Sequence, residues 1–267
     1  MRATGEMRSS EECEELPRLA RRARRRLIKM HYESRIGHLG GNLSALDVLI
    51  CLHHAVMSPE DHFILSKGHA AGALYVALWS RGLISEEELG TFHADGTRLA
   101  GHPVPGWSAS IPVATGSLGH GLPVALGMAL ARKLNGEEGH VYCLTSDGEW
   151  QEGSMWEALI FWRHRQLRNV TVLVDLNGLQ GFGSTREVAS MEDLGRRIEG
   201  FGAEVVHVDG HDHRAITEAV REHPGAVVML HTVKGKGVSF MENRMEWHYL
   251  PLSAEQYAVA LRELESL

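Results

Sequence analysis

Short apolar runs rich in Val, Ile and Leu alternate along this chain with longer stretches whose apolar positions recur every third or fourth residue. The first pattern predicts buried strands and the second amphipathic helices. Strands are expected within Asp61–His69, where the run ends in a Gly-His turn, and at His140–Thr145, Val170–Val174, Ala203–Val208 and Ala226–His231. Helices are expected from Leu16 to about Tyr32, Ser44–Met57 with Ser44 or Asn42 as its cap, Ala70–Arg81, Leu122–Leu134, His213–Glu222 and Ser253–Leu267. One more carries Trp156, Leu159, Ile160 and Trp162. No repeat, low-complexity tract or linker interrupts this alternation. It predicts an α/β fold: a doubly wound, mostly parallel sheet with helices on both faces, over residues 16–267. Residues 1–15, polar and partly acidic, are expected to form a loose terminus.

The segment from His140 to Gly183 organises the rest. It reads as strand, helix, strand, and a unit of that length has parallel strands with a right-handed crossover. Both strands then end on one edge of the sheet, where open α/β sheets bind ligands. At those ends stand Ser146-Asp147-Gly148 and Asp175-Leu176-Asn177-Gly178. The Asp147 carboxylate, the Asn177 amide oxygen and the Leu179 carbonyl are hard oxygen donors of the kind that suit Mg²⁺ or Ca²⁺. Gly148 leaves room for a phosphate, and the helix beginning near Glu149 to Gly153 points its N-terminus at the same place. These residues therefore read as a metal–pyrophosphate seat. Read alone, they also fit an N-cap followed by a turn.

Composition narrows the field. A net charge of −7 argues against a nucleic-acid binder. Cys13, Cys51 and Cys143 form no C-x-x-C, and Cys51 and Cys143 lie in apolar runs as expected of buried thiols, which fits a reducing cytosol. No apolar run is expected to approach the length of a membrane span, and the arginine-rich stretch Arg24–Lys29 has no apolar segment after it, so export is not expected. A solvated or salt-bridged helix face explains those arginines better than RNA does.

Histidines recur beside glycines at Gly37-His38, Gly68-His69 and Gly101-His102, and late in the chain at Trp247-His248. A lone loop histidine is usually just solvated. The glycines of Thr115-Gly116-Ser117-Leu118-Gly119-His120-Gly121 do not follow the dinucleotide spacing and fit close helix packing equally well. Lys234-Gly235-Lys236-Gly237 follows the last strand and is, by itself, a plain turn.

Taken together, these segments resemble the transketolase family. Asp147-Gly148-Glu149, Glu152-Gly153, Trp156-Glu157-Ala158 and Asp175 to Gln180 resemble its thiamine diphosphate fingerprint, with Ser146 in place of the usual first Gly. Separate motifs follow the family's order over nearly all of the chain after about residue 20. The resemblance implies the thiamine diphosphate-binding fold and a metal site at Asp147, Asn177 and the Leu179 carbonyl. The ion would be Mg²⁺, or Ca²⁺ or Mn²⁺ in its place. It further implies cofactor contacts at His69, Gly116, Ser117, Leu118, Asp147, Gly148, Glu149, Asn177, Lys234 and His248. Substrate or proton-transfer roles fall to His38, His69, His102 and His248, with Glu152 as a partner-facing carboxylate. His120 stands where the family has Gln. Leu39, Val104 and Tyr249-Leu250 also depart from its pattern.

The resemblance covers only the diphosphate-binding part of a transketolase. It implies the N-terminal subunit of a split enzyme that transfers a two-carbon ketol unit from a ketose or ketose phosphate to an aldose or aldose phosphate. The pyrimidine-binding and C-terminal domains, with an essential Glu, would lie on a separate C-terminal subunit, in an α₂β₂ heterotetramer in the cytoplasm. No nucleic acid or membrane partner is expected. Two alternatives stand beside it. One is a subunit of another thiamine diphosphate enzyme, of the 2-oxo acid dehydrogenase or deoxyxylulose phosphate synthase type. The other is a non-catalytic cofactor-binding homologue.

Overall fold

Five apolar runs assemble into one parallel sheet: four are buried on both faces, the condition under which parallel sheets form, and the edge strand Val205–Asp209 is partly exposed. The computed structural model describes residues 10–265, with side chains from residue 15 onward. The first nine residues of the expected loose terminus and the Cys13 side chain lie outside the described residues. Residues 10–15, expected to be loose, already belong to the first helix.

In chain order the elements are α1 (Ser10–Ser34), α2 (Leu39–Cys51), a π-helical turn (Leu52–Val56), β1 (His62–Leu65), α3 (Ala71–Ser80), α4 (Glu86–Leu89), α5 (Gly121–Asn135) and β2 (Val141–Ser146). Then come α6 (Gly153–Arg165), β3 (Val170–Leu176), a small hairpin of β4 (Leu179–Gln180) and β5 (Gly183–Ser184), α7 (Thr185–Ala189), α8 (Leu194–Gly200), β6 (Val205–Asp209), α9 (His213–Glu222), β7 (Val227–His231) and α10 (Ala254–Glu265). The sheet order is β1-β2-β3-β7-β6, and every neighbouring pair is parallel.

Alternate residues of each strand feed two cores. Tyr142, Leu144, Leu173, Val228 and Leu230 pack against α1, α2, α3, α9 and α10. Val141, Cys143, Val170, Val172, Val174, Val227 and Met229 pack on the other face against α5, α6 and α8. Helices thus cover both faces, as the alternation of strands and helices predicts.

Three local expectations need correction. The buried stripe of α6 is Met155, Ala158, Leu159 and Trp162, while Ile160 is exposed. The stripe is displaced by one residue from the expected face, and the i, i+3, i+4, i+7 series from Met155 is the one that fits. The helix expected to start at Ser44, capped by Asn42 or Ser44, begins instead at Leu39 behind a left-handed His38. Neither side chain is free to cap: Asn42 Nδ2 donates to the carbonyls of His38 and His69, and Ser44 Oγ donates to Asp175. Leu39–Val56 is also an 18-residue stretch apolar enough to cross a membrane, longer than expected. It is 83% buried inside the protein and acts as its central core helix.

Two arginines of α1 pair within the chain, Arg26 with Glu86 at 2.8 Å and Arg25 with Glu265 at 3.0 Å.

His31 and His53 are buried but do not line the cavity at the strand ends. Burial pushes His31 and His53 down to about 4. A depressed histidine contributes stability that is present above the unfolded value of about 6.5 and is lost as pH falls toward the folded value. Between pH 6.5 and 5 each should therefore lose about 2 kcal/mol. Denaturant titrations of the parent and of His53→Leu should show a smaller acid loss in the variant, by about that amount. Equal losses would mean that His53 takes up its proton without unfolding.

Candidate active site

Parallel strands bring their C-terminal ends to one edge. There β1 runs into Ser66-Lys67-Gly68-His69, β2 into Asp147-Gly148, β3 into Asn177-Gly178 and β7 into Thr232-Val233-Lys234. The Asp147 carboxylate, almost fully buried, accepts the backbone N–H of Gly148 at 2.8 Å through Oδ1 and that of Gly178 at 2.5 Å through Oδ2. The second bond spans the two strands and sets Asp147 against the Asn177 turn. Asn177 Oδ1 accepts the Leu179 N–H at 3.1 Å. Burial first, and the neighbouring Asp175 next, push Asp147 up to about 6.

Beneath this turn lies a buried ion pair whose members the sequence reading assigned no role. Lys67 and Asp175 are both fully buried and in direct contact. Asp175 also accepts from Ser44 Oγ at 2.6 Å and from Thr232 Oγ1, and the Lys67 ammonium donates to the Gly41 carbonyl at 3.2 Å. Burial alone would raise the Asp175 carboxyl, but the Lys67 ammonium together with the Ser44 and Thr232 hydroxyls outweighs it and the net shift is downward.

The histidines converge. The His38 ring lies 5.8 Å from His69, 6.2 Å from His102 and 5.1 Å from His248. His38 sits at φ 63 in the left-handed region, and its N–H donates to the His248 carbonyl at 3.1 Å, which locks the two side by side. Burial, with the cations Lys67 or Lys234 nearby, holds His69 well below the usual range and His248 at about 3. His38 and His102 are lowered chiefly by burial. Lys234 is buried at the back, with Nζ 3.2 Å from His248 Nδ1 and 3.5 Å from the Leu179 carbonyl. Burial and Lys67 pull its pKa down to about 8. A cavity of about 210 Å³ opens over this group, lined by Ile36, Gly37, His38, His93, Gly101, His102, His248 and Tyr249.

Some expected residues fall elsewhere. Glu149 is fully buried and turned inward, accepting from Ser66 Oγ at 2.5 Å and from the Gly119 N–H at 2.9 Å. It holds the 115–121 loop against β1 rather than presenting a carboxylate to a ligand. Glu152 is exposed at the N-cap of α6 and does not line the cavity. Ser117 and His120 are exposed, Leu118 is half-buried, and His120 Nδ1 lies 3.0 Å from the Leu118 carbonyl. Gly116 is needed as glycine: at φ 150, a Cβ would lie 3.0 Å from the His102 ring.

His93 and the wall formed by Tyr249 were missed as site residues. His93 reaches the cavity because it too is left-handed, at φ 63, with its N–H bonded to the Leu99 carbonyl. A histidine eight residues before Gly101 was the only available signal. Lys67 carried a better one, a lysine at the end of an apolar strand between Ser66 and Gly68.

Fold and site together define an α/β protein with an oxygen-rich seat and a histidine-lined cavity at the strand ends. Residues 30–265 match the family described as the transketolase thiamine diphosphate binding domain, and the chain belongs to that family. It is similar to an apulose-4-phosphate transketolase subunit from Phocaeicola vulgatus, 40% identical over 258 residues that cover 90% of each chain. It is also similar to the 6-deoxy-6-sulfo-D-fructose transketolase subunit SqwG of a Clostridium species, with 37% identity over 86% of this chain and 89% of that one. Among solved structures it resembles transketolase from Leishmania mexicana, with a TM-score of 0.86 and 25% identity over 94% of this chain. It spans only 41% of that longer transketolase. The fold is therefore the thiamine diphosphate-binding α/β fold.

The buried pair offers a direct check. Lys67→Met leaves Asp175 charged, buried and unpaired, which should destabilise the protein by about 3–5 kcal/mol. Adding Asp175→Asn to that variant should recover most of the loss in chemical denaturation. No recovery would mean that Lys67 packs rather than pairs.

Proposed function

We propose that this chain is the N-terminal, diphosphate-binding subunit of a split transketolase. It moves a two-carbon ketol unit from a ketose or ketose phosphate to an aldose or aldose phosphate. The observation that carries the proposal is the convergence of Asp147 with the Asn177–Leu179 turn beneath a cavity lined by His38, His102 and His248.

The residues fit a divalent ion and a diphosphate. Asp147 is buried with its carboxyl raised to about 6, the mark of an anion short of a compensating charge. A cation held by Asp147, the Asn177 amide oxygen and the Leu179 carbonyl supplies that charge, with Mg²⁺ first and Ca²⁺ or Mn²⁺ as substitutes. Gly148 and the backbone of Gly116, Ser117 and Leu118 are the expected contacts of the diphosphate, and the Lys234 ammonium adds positive charge beside it. Thiamine diphosphate, when bound, supplies the electron sink that lets a bond next to a carbonyl break.

The chain's own part is to orient groups and move protons. Lys234, at about 8, is mostly an ammonium at neutral pH, so it donates to His248 Nδ1. The His248 proton then sits on Nε2, which makes that atom a donor. His38 and His69 are held neutral, so each offers a lone pair and an N–H to sugar hydroxyls. His102 is the more exposed and lines the same cavity as His248.

The partner is a separate C-terminal subunit carrying the pyrimidine-binding and C-terminal domains, in an α₂β₂ assembly. Relatives of this length that are themselves named as transketolase subunits support a two-chain enzyme. Their names point to ketoses carrying a phosphate or a sulfonate as donors to test. A cytoplasmic location is part of the proposal. The described cysteines, Cys51 and Cys143, are free, buried thiols, as a reducing compartment keeps them.

The purified chain alone should show no ketol transfer, and adding the C-terminal subunit should restore it on a sugar donor panel. Asp147→Ala and Asn177→Ala should each abolish Mg²⁺-dependent binding of thiamine diphosphate measured by calorimetry. Robust turnover by the chain alone would overturn the split-enzyme reading. Turnover of 2-oxo acids instead of sugars would favour an oxo acid dehydrogenase subunit. Cofactor binding by the assembled pair without turnover on any donor would favour a non-catalytic homologue.

A further inference from the structure

One cluster of charged and titratable groups lies behind the cavity and takes no part in it. Asp47, on α2 and almost fully buried, faces three basic groups from three elements. Its Oδ2 accepts from Arg24 Nη2 of α1 at 2.7 Å and from His211 Nδ1 at 2.7 Å, and its Oδ1 lies 3.2 Å from His213 Nε2 at the start of α9. The two histidines differ in one respect. His211 Nε2 also accepts the backbone N–H of Val233 at 2.8 Å. A backbone N–H can only donate, so His211 Nε2 carries no proton. The ring proton is on Nδ1 and points at Asp47.

Val233 immediately precedes Lys234. The turn has a second anchor on the same helix, where the Gly235 N–H donates to the Gly40 carbonyl at 2.9 Å. Lys234 is thereby held between two points tied to α2, with its ammonium 3.2 Å from His248 Nδ1. We propose that His211, oriented by Asp47, is a positioning residue that fixes the turn carrying Lys234 and so sets how tightly the diphosphate seat closes. This rests on the reading of the strand-end seat as a thiamine diphosphate site. His211 touches neither cofactor nor substrate and acts through Val233. His213 touches the same carboxylate but has no bond to the turn, which makes it the internal control.

The test compares His211→Asn, His211→Gln and His213→Asn in the full chain, with thermal midpoints as the check on folding. Asn keeps a short amide that reaches Asp47 but not Val233; the longer Gln amide reaches Val233. In the ligand-free protein, hydrogen exchange at residues 232–235 should speed up in His211→Asn and stay at the parent level in His213→Asn. Calorimetric titration of the chain assembled with its C-terminal subunit, with thiamine diphosphate and Mg²⁺, should show about a tenfold loss of affinity in His211→Asn, the scale of one backbone hydrogen bond. His211→Gln should recover both readouts, and His213→Asn should change neither even if it melts earlier. The inference is overturned if His211→Asn and His213→Asn behave alike in exchange and affinity. If His211→Asn does not fold, the same comparison between His211→Gln and His213→Asn decides: turn exchange in the Gln variant faster than in His213→Asn overturns it. A parent chain that binds no thiamine diphosphate even when assembled with the C-terminal subunit, while its turn exchange still responds to His211, would instead remove the cofactor reading.

Discussion

The Asp175 carboxylate joins four parts of this molecule at one buried point. Lys67 reaches it from the end of β1, Ser44 from α2, Thr232 from the end of β7, and Asp175 itself lies in β3 two residues before Asn177. A fully buried carboxylate is costly unless every lone pair is satisfied, so these partners must arrive together or not at all. The strand ends and the start of the core helix therefore take up one relative position. The oxygen-rich turn at Asn177 and the histidine cavity are built on that position.

Charge is divided unevenly at this edge. Asp175 has a lysine in contact and its carboxyl is lowered, whereas Asp147, on the adjacent strand, has only backbone donors and its carboxyl is raised. Two neighbouring carboxylates are thus left in different electrostatic states, one paired with a buried cation and the other held by backbone N–H groups. A similar division holds among the bases. The buried Lys67 is committed to Asp175, while Lys234 faces the site and keeps the His248 lone pair occupied. Local dielectric and contact, rather than residue type, decide which group is available for chemistry.

The backbone supports this division of polar groups. Left-handed conformations at His38 and His93 turn two imidazoles into one cavity, and glycines at positions 40, 41, 68 and 116 stand where backbone or side-chain atoms of neighbouring segments leave no room for a Cβ or only contact distance. Two of the left-handed non-glycine residues, His38 and His93, thus lie in the cavity itself.

Much of this was legible in the chain. Apolar runs buried on both faces marked the strands, and three-to-four-residue spacing marked the helices, because both reflect short-range backbone geometry. The strand-end motifs at Asp147 and Asn177, the histidines beside glycines and the family they resemble were readable for the same reason. The α6 stripe was misplaced by one residue, since Ile160 and Met155 are equally apolar and only packing chooses between them. Other features depend on which elements become neighbours across the fold. That β7 inserts between β3 and β6, that Lys67 meets Asp175 across 108 positions, and that Glu149 turns inward to hold Gly119 are outcomes of sheet order. Sheet order is set by the burial of all strands at once, and no local stretch of sequence carries that information.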